Sequence, residues 1–228
     1  MKNVAIIVAA GKGKRFKSKL PKQYLKINGM EVIAHAIKNF ELADDIDAIL
    51  LVVEKRYIDT VKNKIVKKYG FKKVIDVLSG GKERYDSVYN AISLLKKYNP
   101  VNIFIHDGAR PFFDRNLIKK IKDELKNYYA CIPVKKIAST VKHIKGNFIE
   151  KTEDRNFLRI AHTPQGFNFK KFIEFYDKKV IKKIKPTDDA VLFEKKGLKV
   201  KMIEDEKMNI KITTKEDFKI LKKIVKRS

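Results

Sequence analysis

Four apolar runs constrain this chain more than any other feature. They cover residues 4–9, 48–53, 74–78 and 101–105, and each ends in a loop carrying glycine, aspartate or arginine. Runs so short and so evenly apolar are what strands buried on both faces of a parallel sheet require. Between and after them, apolar residues recur at helical spacing: Ile58, Val61 and Ile65; Val88, Ala91, Ile92 and Leu95; Ile118, Ile121 and Leu125. Strand alternating with helix implies right-handed βαβ crossovers, a sheet covered on both sides, and ligands gathered outside the carboxyl ends of the strands.

The pattern changes after Cys131. Residues 137–144 and 148–152 flank a Lys145-Gly146-Asn147 turn and read as a β-hairpin. With five lysines in and just before it, at 135, 136, 142, 145 and 151, it would be poorly covered alone. An arm over residues 135–155 that packs on a second copy of the chain is therefore expected, which makes a homodimer. Helices near 170–176 and 188–195, a strand near 199–203 and a helix from Lys215 complete one domain over residues 1–228, with no repeat or linker. The longest strongly apolar run falls far short of the ~20 residues that cross a bilayer, so no membrane partner is expected. Lys2 before that run mimics a signal peptide, but glycines and lysines follow at once and no A-x-A cleavage site is present, so a first strand is the reading. A lone cysteine, Cys131, cannot form an internal disulfide; a cytoplasmic, reducing location and a small core residue are expected.

Lys and Arg number 53 against 27 Asp and Glu, a net charge of +26 that would suit a nucleic-acid binder. The lysines are instead spread through every segment, with no basic tail, zinc-finger spacing or stacked aromatic platform, so a solvated surface is expected and nucleic acid is not. Arginine is the more informative cation, with only 8 residues among the 53. Arg15, Arg84, Arg110 and Arg155 fall in segments punctuated by Gly, Pro or Asp, where a guanidinium fork suits phosphate; Arg56, Arg115 and Arg227 read as surface ion-pairing groups.

Ala9-Ala10-Gly11-Lys12-Gly13-Lys14-Arg15, followed by Pro21-Lys22-Gln23, is neither a P-loop nor a dinucleotide fingerprint. Gly11 and Gly13 let backbone amides approach phosphate, and Arg15 and Lys22 add fixed positive charge, so a phosphate loop is expected. Gly80-Gly81-Lys82-Glu83-Arg84-Tyr85-Asp86-Ser87 repeats the pattern after a strand, with Asp86 or Ser87 either capping a helix or touching a base or ribose. His106-Asp107-Gly108-Ala109-Arg110-Pro111 delivers Asp107 to the sheet edge, as a magnesium ligand or an ion-pair partner of Arg110; His106 reads as a packing residue. Thr163-Pro164-Gln165 and Thr187-Asp188-Asp189-Ala190 add polar groups at junctions. In Asn209-Ile210-Lys211-Ile212-Thr213, strand alternation sends Lys211 opposite the isoleucines, to a cleft or to water.

In this order and over the whole chain, A-A-G-x-G-x-R with P-K-Q, G-G-x-x-R-x-D-S-V, H-D-G-A-R-P, T-P-Q, T-D-D-A and N-I-K-I-T resemble the 2-C-methyl-D-erythritol 4-phosphate cytidylyltransferase family. The resemblance implies a Rossmann-like α/β nucleotidyltransferase fold, mostly parallel, with CTP and Mg2+ as ligands, methylerythritol phosphate as acceptor, and a homodimer whose arm reaches the partner's site. It further implies that Arg15 and Lys22 stabilise the transition state, that Ala9, Ala10, Gly11, Gly13, Gly81 and Ser87 surround the nucleotide, and that Asp107 holds the metal. Arg110 and Lys211, with Thr140 and Arg155 from the neighbouring arm, would hold the acceptor. Gly108 departs from the family's usual alanine, a loss of one methyl that should leave the chemistry intact. The competing readings are a ribitol 5-phosphate cytidylyltransferase and a non-catalytic polyanion-binding protein.

Overall fold

A computed structural model describes residues 1–11, 13–16, 18 and 20–226 of the chain. Lys12 of the expected phosphate loop and the expected surface group Arg227 lie outside the described residues. In chain order, β1 (Asn3–Ala9) leads through the glycine loop to a short ribbon, β2 (Lys26–Ile27) and β3 (Met30–Glu31), and to α1 (Val32–Glu41). Strand β4 (Ala48–Val53) is followed by α2 (Ile58–Val61), a π-helical stretch (Lys62–Val66) and α3 (Lys67–Tyr69). Then come β5 (Val74–Ser79), α4 (Arg84–Leu95), β6 (Asn102–Asp107), α5 (Asn116–Glu124) and β7 (Ala130–Lys136). The hairpin β8 (Val141–Lys145) and β9 (Phe148–Glu153) precedes β10 (Arg159–Ala161), β11 (Gln165–Asn168), α6 (Phe169–Phe175) and α7 (Lys178–Ile184). Helix α8 (Val191–Glu194), β12 (Lys201–Glu204) and α9 (Lys215–Lys226) close the chain.

The expected strands form the parallel heart of the main sheet, with β1 between β4 and β6 and β5 outside β4. Their alternation explains why the runs are apolar throughout. Ala5, Ile7 and Ala9 face one core with α1, α5, Val61 and Ile65, while Val4 and Ile6 face another with α4, α6 and α8. A third, smaller core gathers Phe16, Ile27, Val32, Ile212 and Leu221 beside α9.

Beyond β6 the sheet departs from the sequence expectation. Strand β11 inserts antiparallel between β6 and β7, and β10 and β12 also pair with β7. Cys131 lies in β7, fully buried, as the small core residue expected. The hairpin forms, but its first strand begins at Val141, not at 137, and its turn is Gly146-Asn147, with Gly146 at φ +59°. Residues 209–213 form no strand ladder; Ile212 donates its amide to the Ala109 carbonyl at 2.9 Å, and Asn209 donates to the Thr163 carbonyl at 2.8 Å, which together hold the segment against the sheet edge. No helix among the described residues is long and apolar enough to cross a membrane.

Candidate active site

At the carboxyl ends of β1 and β6 lies a cleft of about 410 Å³ bordered by Ala9, Ala10, Gly11, Lys22, Gly81, Arg84, Ser87, Asp107 and Lys211. The sequence motifs meet here because each follows a strand or packs against the end of one. Gln23, almost fully buried, donates from Nε2 to the carbonyls of Ala9 (2.7 Å) and Gly11 (3.3 Å), fixing the start of the glycine loop. Gly13 adopts φ +62°, a conformation that disfavours any side chain, and its carbonyl accepts the Phe16 amide at 2.8 Å. Arg15 sits in the helical turn Lys14–Phe16, exposed, with its charge felt at Lys22.

Across the cleft, Gly80 and Gly81 are demanded by close approach. A Cβ on Gly80 would lie 2.2 Å from the Ala10 Cβ, and one on Gly81 would lie 2.2 Å from the Asp86 Cβ. Helix α4 starts earlier than the sequence suggested. Glu83 is the N-cap in a reciprocal capping box with Asp86, so neither Asp86 nor Ser87 occupies the cap position. The Ser87 hydroxyl instead accepts the Gly81 amide at 3.1 Å and donates to the Glu83 carbonyl at 3.3 Å, with its side chain on the cleft.

Asp107 is the electrostatic centre. Its carboxylate meets Lys211 Nζ at 2.8 Å, Arg84 Nε at 3.2 Å and Arg110 Nε at 3.6 Å. Burial acts against ionisation, yet Arg84 and Lys211 outweigh it and hold the carboxyl well below the usual range. The expected partner Arg110 is therefore the most distant of the three cations, its guanidinium donating to the Asn209 carbonyl at 2.6 Å. Arg84 bridges two acids, with Nη1 2.7 Å from Asp189, which is fully buried. Gln165 supports this pair by donating to Asp188 at 2.9 Å and accepting the Asp189 amide at 3.2 Å. Asp188 also accepts the Val191 amide at 3.3 Å, just before α8.

Burial pushes His106 down to about 4, so the ring is neutral at pH 7. Its Nε2–H donates to the Arg110 carbonyl at 3.0 Å and Nδ1 accepts the Thr163 hydroxyl at 2.9 Å, while Thr163 accepts the Asp107 amide at 3.2 Å. His106 is thus the expected packing residue, orienting the Asp107 loop. Lys22 is the unusual cation. Burial, then the positive charges of Lys211 and Arg15, push its ammonium down to about 8.

One carboxylate beside an open cleft matches how Mg2+ is commonly held, by one or two carboxylates together with substrate phosphates and water. Among the described residues no group of three or more His, Cys, Asp and Glu could form an all-protein cage. The donor set therefore fits a metal carried with a polyphosphate, Asp107 being the buried carboxylate that borders the cleft.

Not every sequence candidate gathers here. Gly13, Arg15 and Arg110 adjoin the cleft through their neighbours without bordering it. Thr140 and Arg155 stand exposed on the arm, away from the cleft's border, with Arg155 donating to the Ala138 carbonyl. Conversely, Gln23, Gln165 and Asp189 build the site without having been assigned roles from sequence, and Arg84, expected to suit phosphate, is held between Asp107 and Asp189. Their signal was present as motif members, but a buried acid declares itself only when its partner, 105 positions away for Arg84 and Asp189, is placed beside it.

A parallel sheet with a glycine loop after β1, a second glycine turn after β5 and clustered cations at its carboxyl edge defines a nucleotidyltransferase of Rossmann-like architecture. The family model for "IspD: 2-C-methyl-D-erythritol 4-phosphate cytidylyltransferase" matches residues 3–227. Proteins of that name from Clostridium kluyveri and Alkaliphilus oremlandii are 40% and 38% identical, the alignments covering 98% and 99% of this chain and 96% and 95% of theirs. The crystal structure of 4-diphosphocytidyl-2C-methyl-D-erythritol synthase from Anaerococcus prevotii superposes with a TM-score of 0.87 at 31% identity, covering 99% of this chain and 96% of that one. The chain belongs to the 2-C-methyl-D-erythritol 4-phosphate cytidylyltransferase family.

Proposed function

We infer that the chain transfers CMP from CTP to 2-C-methyl-D-erythritol 4-phosphate, releasing pyrophosphate and forming 4-diphosphocytidyl-2-C-methyl-D-erythritol, a step of non-mevalonate isoprenoid synthesis. Family membership over residues 3–227 carries this reading, and the cationic cleft supports its chemistry. The attacking phosphate monoester has a second pKa of about 6 and is already a dianion near pH 7, so no general base is needed. The barrier is repulsion between two polyanions and charge building on the α-phosphoryl and leaving oxygens.

On this reading Arg15 and Lys22 are the catalytic residues, meeting that charge. Ala9, Ala10, Gly11, Gly13, Gly81 and Ser87 hold the nucleotide, with the Gly11 and Gly13 backbone free to approach its phosphates. Arg110 and Lys211 hold the acceptor. Asp107 would hold Mg2+, which when bound neutralises phosphate oxygens. Lys211, the ion-pair partner of Asp107, also borders the cleft and can meet phosphate there, while Arg84 remains held by Asp189.

Thr140 and Arg155 serve a neighbouring site if two copies exchange arms. The arm supports this, since Phe148 and Phe157 are 80% and 87% exposed, a large apolar surface for a free hairpin. The whole chain acts as one catalytic unit, in a reducing cytoplasm that suits its single, buried Cys131 thiol, which burial pushes up to about 12.

Pyrophosphate release from CTP with each acceptor tests the reading. Turnover is expected with methylerythritol phosphate; turnover only with ribitol 5-phosphate selects the competing transferase, and salt-sensitive nucleic-acid binding without turnover selects a polyanion-binding protein.

A further inference from the structure

We infer that the C-terminal helix α9 sets the positions of two cations, Lys211 on the cleft border and Arg15 beside Lys22, through the third core, with Phe16 and Phe218 as positioning residues; this rests on the transferase reading above. Each cation is the chain neighbour of a residue plugged into that core. Arg15 precedes Phe16, which is only 4% exposed, and Lys211 precedes Ile212, which is fully buried. One helix closes over both plugs: Leu221 of α9 is fully buried in the same cluster, and the Phe218 ring meets Phe16 edge-on at 6.3 Å.

Hydrogen bonds fix the two backbones beside those plugs. The Phe16 amide donates to Gly13 and the Ile212 amide to Ala109, at 2.8 and 2.9 Å. The first turn of α9 extends the connection, because the Asp217 carboxylate accepts the amides of Thr213 and Thr214, both at 2.8 Å. The negative charge of Asp217 also reaches Lys22 and favours its ammonium form. Adjacent Cα atoms are fixed ~3.8 Å apart, so a displaced plug drags its cation with it. Gln23 fixes the start of the glycine loop at Ala9 and Gly11, and among the described residues its far end is anchored by Phe16 in this core, since Gly13 offers no side chain. Packing by α9 therefore substitutes for the rigidity that the loop's own sequence withholds.

The test compares Phe218→Ala, Phe218→Leu and Leu117→Ala, the last a core truncation on α5 away from the cleft. At a temperature where all three are folded, Phe218→Ala is expected to lower kcat roughly tenfold or more, as ångström-scale misplacement of reacting groups does. Phe218→Leu, which keeps apolar volume, should recover most of that loss, and Leu117→Ala should lower Tm while retaining near-wild-type kcat. Hydrogen exchange at the Phe16 amide should accelerate in Phe218→Ala alone, a readout independent of the reaction. Wild-type kcat and unchanged Phe16 exchange in Phe218→Ala would overturn the inference, as would an equal kcat loss in Leu117→Ala. A wild-type protein without turnover would reject the proposed reaction instead, and the exchange measurement would still decide the role of α9.

Discussion

Lys22 carries the sharpest consequence at the residue scale. Its ammonium is pushed down to about 8, so the charged form dominates below that pH and is lost above it. With an acceptor that becomes a dianion above about pH 6, kcat/KM should trace a bell, rising through about 6 and falling through about 8. Lys22→Arg, which keeps its charge to far higher pH, should abolish the alkaline limb; a limb that survives the substitution belongs to another group. Arg15→Ala or Lys22→Ala should lower kcat by ~10²-fold or more, about 2.7 kcal/mol of lost transition-state stabilisation, measured by steady-state kinetics on folded protein. The placement of Lys22 at the cleft was legible in the sequence because phosphate chemistry at a glycine loop calls for nearby cations. Gln165 and Asp189 were legible only as motif letters, and Arg84 only as a cation suited to phosphate, since their roles are relations: one guanidinium held between Asp107 and Asp189, and one amide holding the second acid.

Among the elements, the two glycine turns act as a matched pair. The 2.2 Å approach of a Cβ at Gly80 to Ala10 means that Gly80→Ala must push the β1 loop out of place. CTP affinity, measured by calorimetry, should fall at least tenfold in this variant, an order of magnitude typical of a displaced binding loop. Unaltered affinity would show that the first loop does not need that contact. The parallel strands could be read from sequence because burial on both faces leaves a continuous apolar run. Strands β10 and β11 could not, since they lack such runs, as Gln165 to Asn168 against β6 shows, and the apolar run of β7 is broken by Pro133. Helix α4 was misplaced for a different reason: Asp86 and Ser87 resemble caps, but the reciprocal capping box shifts the start to Glu83.

For the whole molecule, the proposed pairing of two copies would cover the exposed Phe148 and Phe157. Phe157→Asp should shift the protein toward monomer in sedimentation velocity, and activity should fall with it. Mixed dimers of Lys22→Ala and Arg155→Ala chains should regain one working site each, because only one of their two sites then contains both defects; no recovery would refute a shared site. The net charge of +26 has a global role as well, drawing polyanionic substrates to a cleft where Lys22, Arg84 and Lys211 converge. The most direct measurement is a crystal structure with CTP bound. Its triphosphate should lie along Gly11 and Gly13, within reach of Arg15 and Lys22 and beside Asp107; a triphosphate seated away from these residues would contradict the account.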